Sequence, residues 1–258
     1  MTVCLTLPSS ANAQILEKLK DALGGKTSTA PEENTAKTKN TAAKRAFYVK
    51  DVVTKSFDKQ KQARTTNCFD AEEIAMQVNW TDPKSKESQK SYVDSEGYFT
   101  SYNESEGEYQ KSNLVSSGVM GMIGPSMMLS VYKLPVGPYM ERTENLKKQG
   151  VNANAFMYLE FAFIYDPGHF RNSNYSETKT RCRGGSDCTK FGIREKGYDD
   201  SFILFDNKDR LAEINIKIKD SPHFGTNEGL IEYFYDQTCS VSVPAAKEVR
   251  GPGLDIFR

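Results

Sequence analysis

The sequence holds little of what motif-driven chemistry requires. It has two histidines and one tryptophan in 258 residues. No G-x-S-x-G, no P-loop, no G-x-G-x-x-G after a strand and no H-E-x-x-H occurs, so no catalytic residue, cofactor or metal is assigned by motif. Charge of either sign is not in surplus: 34 Lys and Arg face 34 Asp and Glu. That balance argues against nucleic acid as the main partner, because phosphate backbones attract an excess of cations. No run of about 20 apolar residues is present, which argues against a transmembrane span by a helix. What is present is aromatic: 14 Phe and 13 Tyr can build a core even at a mean hydropathy of -0.61.

The N-terminal region is organised in short pieces. Residues 1–13 end in Ala11-Asn12-Ala13, a small-x-small cleavage site preceded by the apolar run Val3 to Leu7. They are expected to be a signal peptide remnant, with Gln14 as the mature N-terminus. The positive n-region is missing, so either the start codon lies too far downstream or the leader is trimmed. Residues 14–25 place Ile15, Leu16, Leu19 and Leu23 on one face before Gly24-Gly25, which predicts a short amphipathic helix with a glycine stop. It would dock on its own domain, fray, or lie on a membrane surface. Residues 26–44 contain no large apolar side chain and read as a polar linker. From Lys26 to Arg64 there are ten basic residues against four acidic, a basic tether that anionic lipid or glycan could meet. Leader, helix and tether together resemble those of exported proteins of the Gram-negative envelope. The resemblance implies a periplasmic or outer-membrane-associated protein, and it extends to none of the residues beyond the tether.

Five cysteines are present, of which Cys4 lies in the leader. The other four suggest two disulfides in an oxidising compartment, with three pairings open. The tight loop Cys182-Arg-Gly-Gly-Ser-Asp-Cys188 favours Cys182 with Cys188, which leaves Cys68 to meet Cys239 and join an early segment to the last strand. The spacing is not that of a zinc site, and reduced buried thiols are the other reading.

Residues 45–258 are expected to form one β-rich domain. Ile74, Met76, Val78 and Trp80 alternate with polar residues, as do Ile214, Ile216 and Ile218. The runs 156–165, 201–205 and 230–235 are β-branched and aromatic, of strand length. Asp94, Asp206 and Asp236 each follow an apolar strand end and mark turns, because a carboxylate accepts from amides two residues on. The fold class is therefore mainly β: an antiparallel meander forming a sandwich or an open barrel. Beyond the first helix, only Thr143 to Gln149 looks helical, with Thr143 as cap and Gly150 as stop.

Residues 114–136 break the pattern. This most apolar stretch carries four of the eight methionines and is interrupted by Gly118, Gly121, Gly124 and Pro125, which spoil both helix and strand. Unbranched thioethers adapt to irregular contacts. Met120, Met122, Ile123, Met127 and Met128 are thus candidate ligand-binding residues, lining a site for an apolar small molecule or lipid. A patch for an envelope protein or membrane surface, and a buried crossover, are the other readings.

Weaker constellations remain. His169 and His223 each follow an Asp by three residues, and would bind zinc or move protons only if the two turns met. Lys179, Arg181, Arg183, Lys190, Arg194 and Lys196 flank Gly184-Gly185 and would suit a phosphate or anionic sugar, with Glu177, Asp187 and Glu195 among them. Tyr98, Phe99 and Tyr102 could stack on a sugar. Taken together, the sequence predicts a non-catalytic exported protein that binds an apolar ligand or partner through its Met-rich segment. A structural or interaction module is the alternative, and a hydrolase with a carboxylate-based site is the third.

Overall fold

The computed structural model describes residues 41–57, 63–82, 85–113, 125–151, 155–221 and 225–249. Its frame is one open sheet of twelve strands: β1 Val52–Phe57, β2 Ala63–Asp70, β3 Ala75–Thr81, β4 Ser88–Val93, β5 Tyr98–Asn103, β6 Glu108–Asn113, β7 Tyr175–Arg181, β8 Asp187–Ile193, β9 Phe202–Phe205, β10 Leu211–Ser221, β11 Gly225–Phe234 and β12 Lys247–Glu248. The spatial order is β12-β6-β5-β4-β3-β2-β1-β11-β10-β9-β8-β7. All neighbours are antiparallel except β12, which runs parallel to β6. The mainly β, antiparallel expectation is borne out, and the sheet stays open rather than closing on itself.

Two meanders, β1–β6 and β7–β11, meet where β1 pairs with β11. Their hairpins turn on aspartates as the sequence implied. Asp94 Oδ1 accepts from the amides of Glu96 and Tyr98, and Asp206 Oδ1 from those of Lys208 and Arg210. In the first turn Gly97 adopts φ +81°, which an L side chain resists. No strand follows Asp236 directly. Instead residues 235–246 run without strand pairing past β2, held by Cys239–Cys68 and by the Val241 amide on Asp70, until β12 joins β6. Cys239 therefore lies beyond the last long strand, not in it. Both cysteine pairs are bridged as expected, with Cα separations of 5.6 Å for Cys68–Cys239 and 5.5 Å for Cys182–Cys188.

One sheet face carries a helical layer: α1 Thr41–Phe47, α2 Pro125–Tyr132, α3 Val136–Lys148 and the short α4 Phe161–Ile164, preceded by the 3₁₀ turn Met157–Glu160. Four expectations are corrected here. The 156–165 run is not a strand: Phe156, Leu159, Phe161, Ala162, Ile164 and Tyr165 are buried along it, and a run apolar on all sides fits a coiled segment wedged in a core as well as a strand. Pro125 does not prevent a helix, since it opens one, where its missing N–H is no loss. Thr143 is not a cap; it lies inside the longer α3 and donates to the Met140 carbonyl, while Gly150 (φ +74°) does end the helix. The polar linker ends sooner than residue 44, because α1 buries Ala43 and Phe47 against the sheet and docks Lys44 on Glu96 at 2.8 Å. The 14–25 helix lies outside the described residues.

Candidate functional site

The register of β11 and β1–β5 sorts the helix-side face into three rows. The first, Val52, Phe69, Met76, Val93 and Phe99, is apolar and packed under the helical layer. The second runs Tyr233, Thr54, Asn67, Val78, Ser91, Ser101. The third runs Ile231, Ser56, Thr65, Trp80, Gln89. The same face thus passes from aliphatic and aromatic side chains to hydroxyls and amides within about two residue pairs, or roughly 13 Å along the strands. The polar groups are organised: Asn67 donates to Thr54 Oγ1 at 3.0 Å, and the Ser56 and Thr65 hydroxyls are hydrogen-bonded. Trp80 is the exception, since its indole Nε1 is buried and has no hydrogen-bond acceptor among the described residues. A buried donor without a partner costs about 1 to 3 kcal/mol, which an incoming acceptor would recover.

Where β11 borders these rows, the helices supply phenols. Tyr158 Oη donates to Met128 Sδ at 3.7 Å, and its ring meets Tyr132 edge-on at 5.6 Å. Tyr233 Oη donates to the Tyr158 carbonyl at 2.9 Å. Burial holds all three phenols up: Tyr132 is pushed to about 12, and Tyr158 and Tyr233 lie well above the usual range. Further hydroxyls tie the α2–α3 connection to the layer, with Tyr165 donating to the Pro135 carbonyl at 2.8 Å and Tyr175 to that of Lys133. Deeper still, Glu160 is fully buried and accepts from Tyr48 Oη at 2.9 Å.

Of the candidate ligand residues, Met128 is buried against this phenol group. Met127 belongs to α2, but its side chain, like Met120, Met122 and Ile123, lies outside the described residues. Sequence reasoning does not single out Trp80 as a site residue, although the alternation that puts it on the face of Val78 is plain. It misses the tyrosines because tertiary register, not spacing, gathers them.

The weaker constellations resolve as local structure. His169 Nδ1 accepts from the Asp166 amide and Asp166 Oδ1 from that of Gly168, so this pair caps a turn, while His223 lies outside the described residues. In the basic cluster, Lys179 donates to Thr189, Arg181 to the Gly185 carbonyl, Lys190 sits 4.3 Å over the Phe202 ring, and Arg183 pairs with Glu232. Glu232 stands opposite Glu213 in the β10–β11 register. Burial, then the Glu232 charge, raises the Glu213 carboxyl, while Arg183 and Lys190 oppose the shift. Phe99 faces the core rather than solvent. A groove of about 300 Å³ beside α3 is lined by Glu141, Arg142, Asn145, Phe163 and His169 among others. Among the described residues no group of three or more His, Cys, Asp or Glu could hold a metal, and no helix is long and apolar enough to cross a membrane.

The chain matches no protein-family model and no curated protein sequence. Among solved structures, an uncharacterised conserved protein of Thermus thermophilus superposes with a TM-score of 0.37 at 7% identity, covering 81% of this chain and 96% of that one. A LolA superfamily protein of Nitrosomonas europaea superposes with a TM-score of 0.24 at 7% identity, covering 78% and 94%. At these values neither likeness assigns a function to this chain.

Proposed function

We propose that this chain is a non-catalytic, exported envelope protein that holds an amphipathic ligand, such as a lipid, on the helix-side face of its sheet. The observation that carries the reading is the half-buried face around Trp80, whose indole N–H has no acceptor among the described residues, on the same sheet face that meets the Met128, Tyr132 and Tyr158 group at Tyr233. Acyl carbons would lie against Val78 and Trp80. A carbonyl or hydroxyl would meet the Trp80 donor and the Ser and Thr hydroxyls of the second and third rows. The Met-rich segment 114–136 would complete the site, in keeping with the adaptability of its side chains. Two disulfides support residence in an oxidising compartment, and the expected location is periplasmic or outer-membrane-associated.

Trp80 is the only tryptophan, so its fluorescence reports on this face alone. Titration with cis-parinaric acid is expected to quench it by energy transfer, and Val78→Lys is expected to weaken binding at least about tenfold while leaving the circular dichroism unchanged. A protein that neither quenches on titration nor retains a lipid in native mass spectrometry is not a lipid carrier. If instead it is recovered as a bare dimer, the interaction-module reading takes its place.

A further inference from the structure

The opposite face of the sheet carries its own aromatic feature near the β6 edge. On β4, β5 and β6 the register places Tyr92 opposite Thr100 and Thr100 opposite Lys111, and, one row over, Tyr102 opposite Tyr109. Tyr92 and Tyr109 sit on strands that are not neighbours, yet their ring centroids are 6.3 Å apart. They lean toward each other over Thr100, which is left 1% exposed between them. Tyr102 joins them, its ring 5.2 Å from Tyr109, and is itself 52% exposed. The result is a platform of three phenol rings on the face away from the helices.

Its surroundings are polar and carry two lysines, of which Lys111 has Glu248 in register beside it on β12. Gln77, opposite Tyr92, donates to Asn79, which stands opposite Lys90. Lys90 and Tyr102 flank the Ser91–Ser101 pair, so the exposed ammonium continues the row of Tyr102 and Tyr109. Lys111 lies in the next row, 4.8 Å over the Tyr98 ring. The two rows across β3–β6 contain these two lysines and no carboxylate. The carboxylate beyond them, Glu248 on β12, accepts from Tyr98 Oη at 3.2 Å.

We infer that this platform is a binding site for an acidic saccharide, independent of the lipid reading. A pyranose presents an apolar face of C–H groups, which packs on an exposed phenol ring, and a rim of hydroxyls, which pairs with amides and phenol oxygens. Tyr102 offers the ring, and Gln77, Asn79 and the tyrosine hydroxyls offer the rim. Lys90 favours a sugar that carries a carboxylate, because an ammonium binds a carboxylate more strongly than a neutral hydroxyl. A solely structural role for the rings does not account for an exposed Tyr102 beside Lys90.

The test uses the full chain with tetragalacturonate and an alginate tetramer as probes, and cellotetraose as the neutral counterpart, followed by isothermal titration. An acidic tetramer should bind more tightly than cellotetraose, with an affinity that falls as salt rises. Tyr102→Ala should raise Kd about tenfold and Tyr102→Phe should leave it nearly unchanged, because stacking uses the ring rather than the hydroxyl. Lys90→Gln should flatten the salt dependence. Lys208→Gln, in the β9–β10 turn, serves as the distant charge control and should change nothing. Tyr102→Phe also guards against misfolding, since it preserves the ring packing. The inference is overturned if neither acidic probe binds at up to about 10 mM, if cellotetraose binds as tightly as they do, or if binding is indifferent to both Tyr102→Ala and Lys90→Gln.

Discussion

At the scale of single residues, the least expected feature is Glu160, a carboxyl with no exposure in a core of aromatic rings. Its Oε1 accepts from Tyr48 Oη at 2.9 Å and from the Phe156 amide at 3.4 Å, and Tyr139 hydrogen-bonds to the same side chain. Removing an acceptor costs more than the bond contributes, because the donors left behind are already desolvated. Glu160→Gln keeps an oxygen for Tyr48 and should cost within about 1 kcal/mol. Glu160→Ala adds a void to the lost acceptor and should cost about 3 to 4 kcal/mol. Urea denaturation of the two variants decides the matter, and equal losses would mean that the hydroxyls find other partners. Nothing in the sequence singles out Glu160, for a glutamate in an aromatic run reads as the solvent side of a strand. Trp80 was half legible: its face follows from alternation, whereas the unsatisfied indole depends on what neighbouring strands place around it.

At the scale of elements, the two disulfides do different things. Cys182–Cys188 closes a hairpin turn over a separation of 6 residues, whereas Cys68–Cys239 spans 171 and pins the segment that crosses the sheet from β11 toward β6. In the chain-entropy account the long loop is worth roughly 5 kcal/mol and the short one roughly 2. Cys68→Ser with Cys239→Ser should therefore lower stability about twice as much as Cys182→Ser with Cys188→Ser. It should also raise hydrogen exchange selectively at the amide of Val241, which donates to Asp70. Equal losses in the two double variants would show that the crossing segment is held by its hydrogen bonds rather than by the bridge. Both pairings were legible from loop length and elimination, as were the Asp-led turns, because these depend on local chemistry. The helical layer was not. Residues 156–165 form coiled turns because packing on several sides removes the need for alternation, and α3 begins at Val136, well before Thr143, because Pro135 and the buried Tyr139 set its start. The three-row division of the helix-side face was equally hidden, since it exists only once six strands are in register.

At the scale of the whole molecule, the helices are held to the sheet by buried phenols, and that makes the fold vulnerable to base. Tyr48, Tyr132, Tyr139, Tyr158, Tyr165, Tyr175, Tyr233 and Tyr235 all ionise above the ordinary value of 10.0, each chiefly because burial disfavours the phenolate. Tyr132 and Tyr175 are pushed to about 12. A raised value means that the folded state keeps a proton that the unfolded chain releases. The stability these groups contribute is fully present below about pH 10 and is lost as pH rises from there through the folded values. Each tyrosine that differs adds a slope of about 1.4 kcal/mol per pH unit, so several acting together exhaust a stability of about 5 to 15 kcal/mol within one to two units. Alkaline titration should therefore show one cooperative step between about pH 10 and 12, with tyrosinate absorbance rising as the far-ultraviolet circular dichroism collapses. Tyr132→Phe, whose hydroxyl is not needed by the sheet ladder, should move that step to higher pH. Gradual phenolate formation with the dichroism intact would mean that water reaches these rings in the folded protein, and the helical layer would then be a loose cover rather than part of the core.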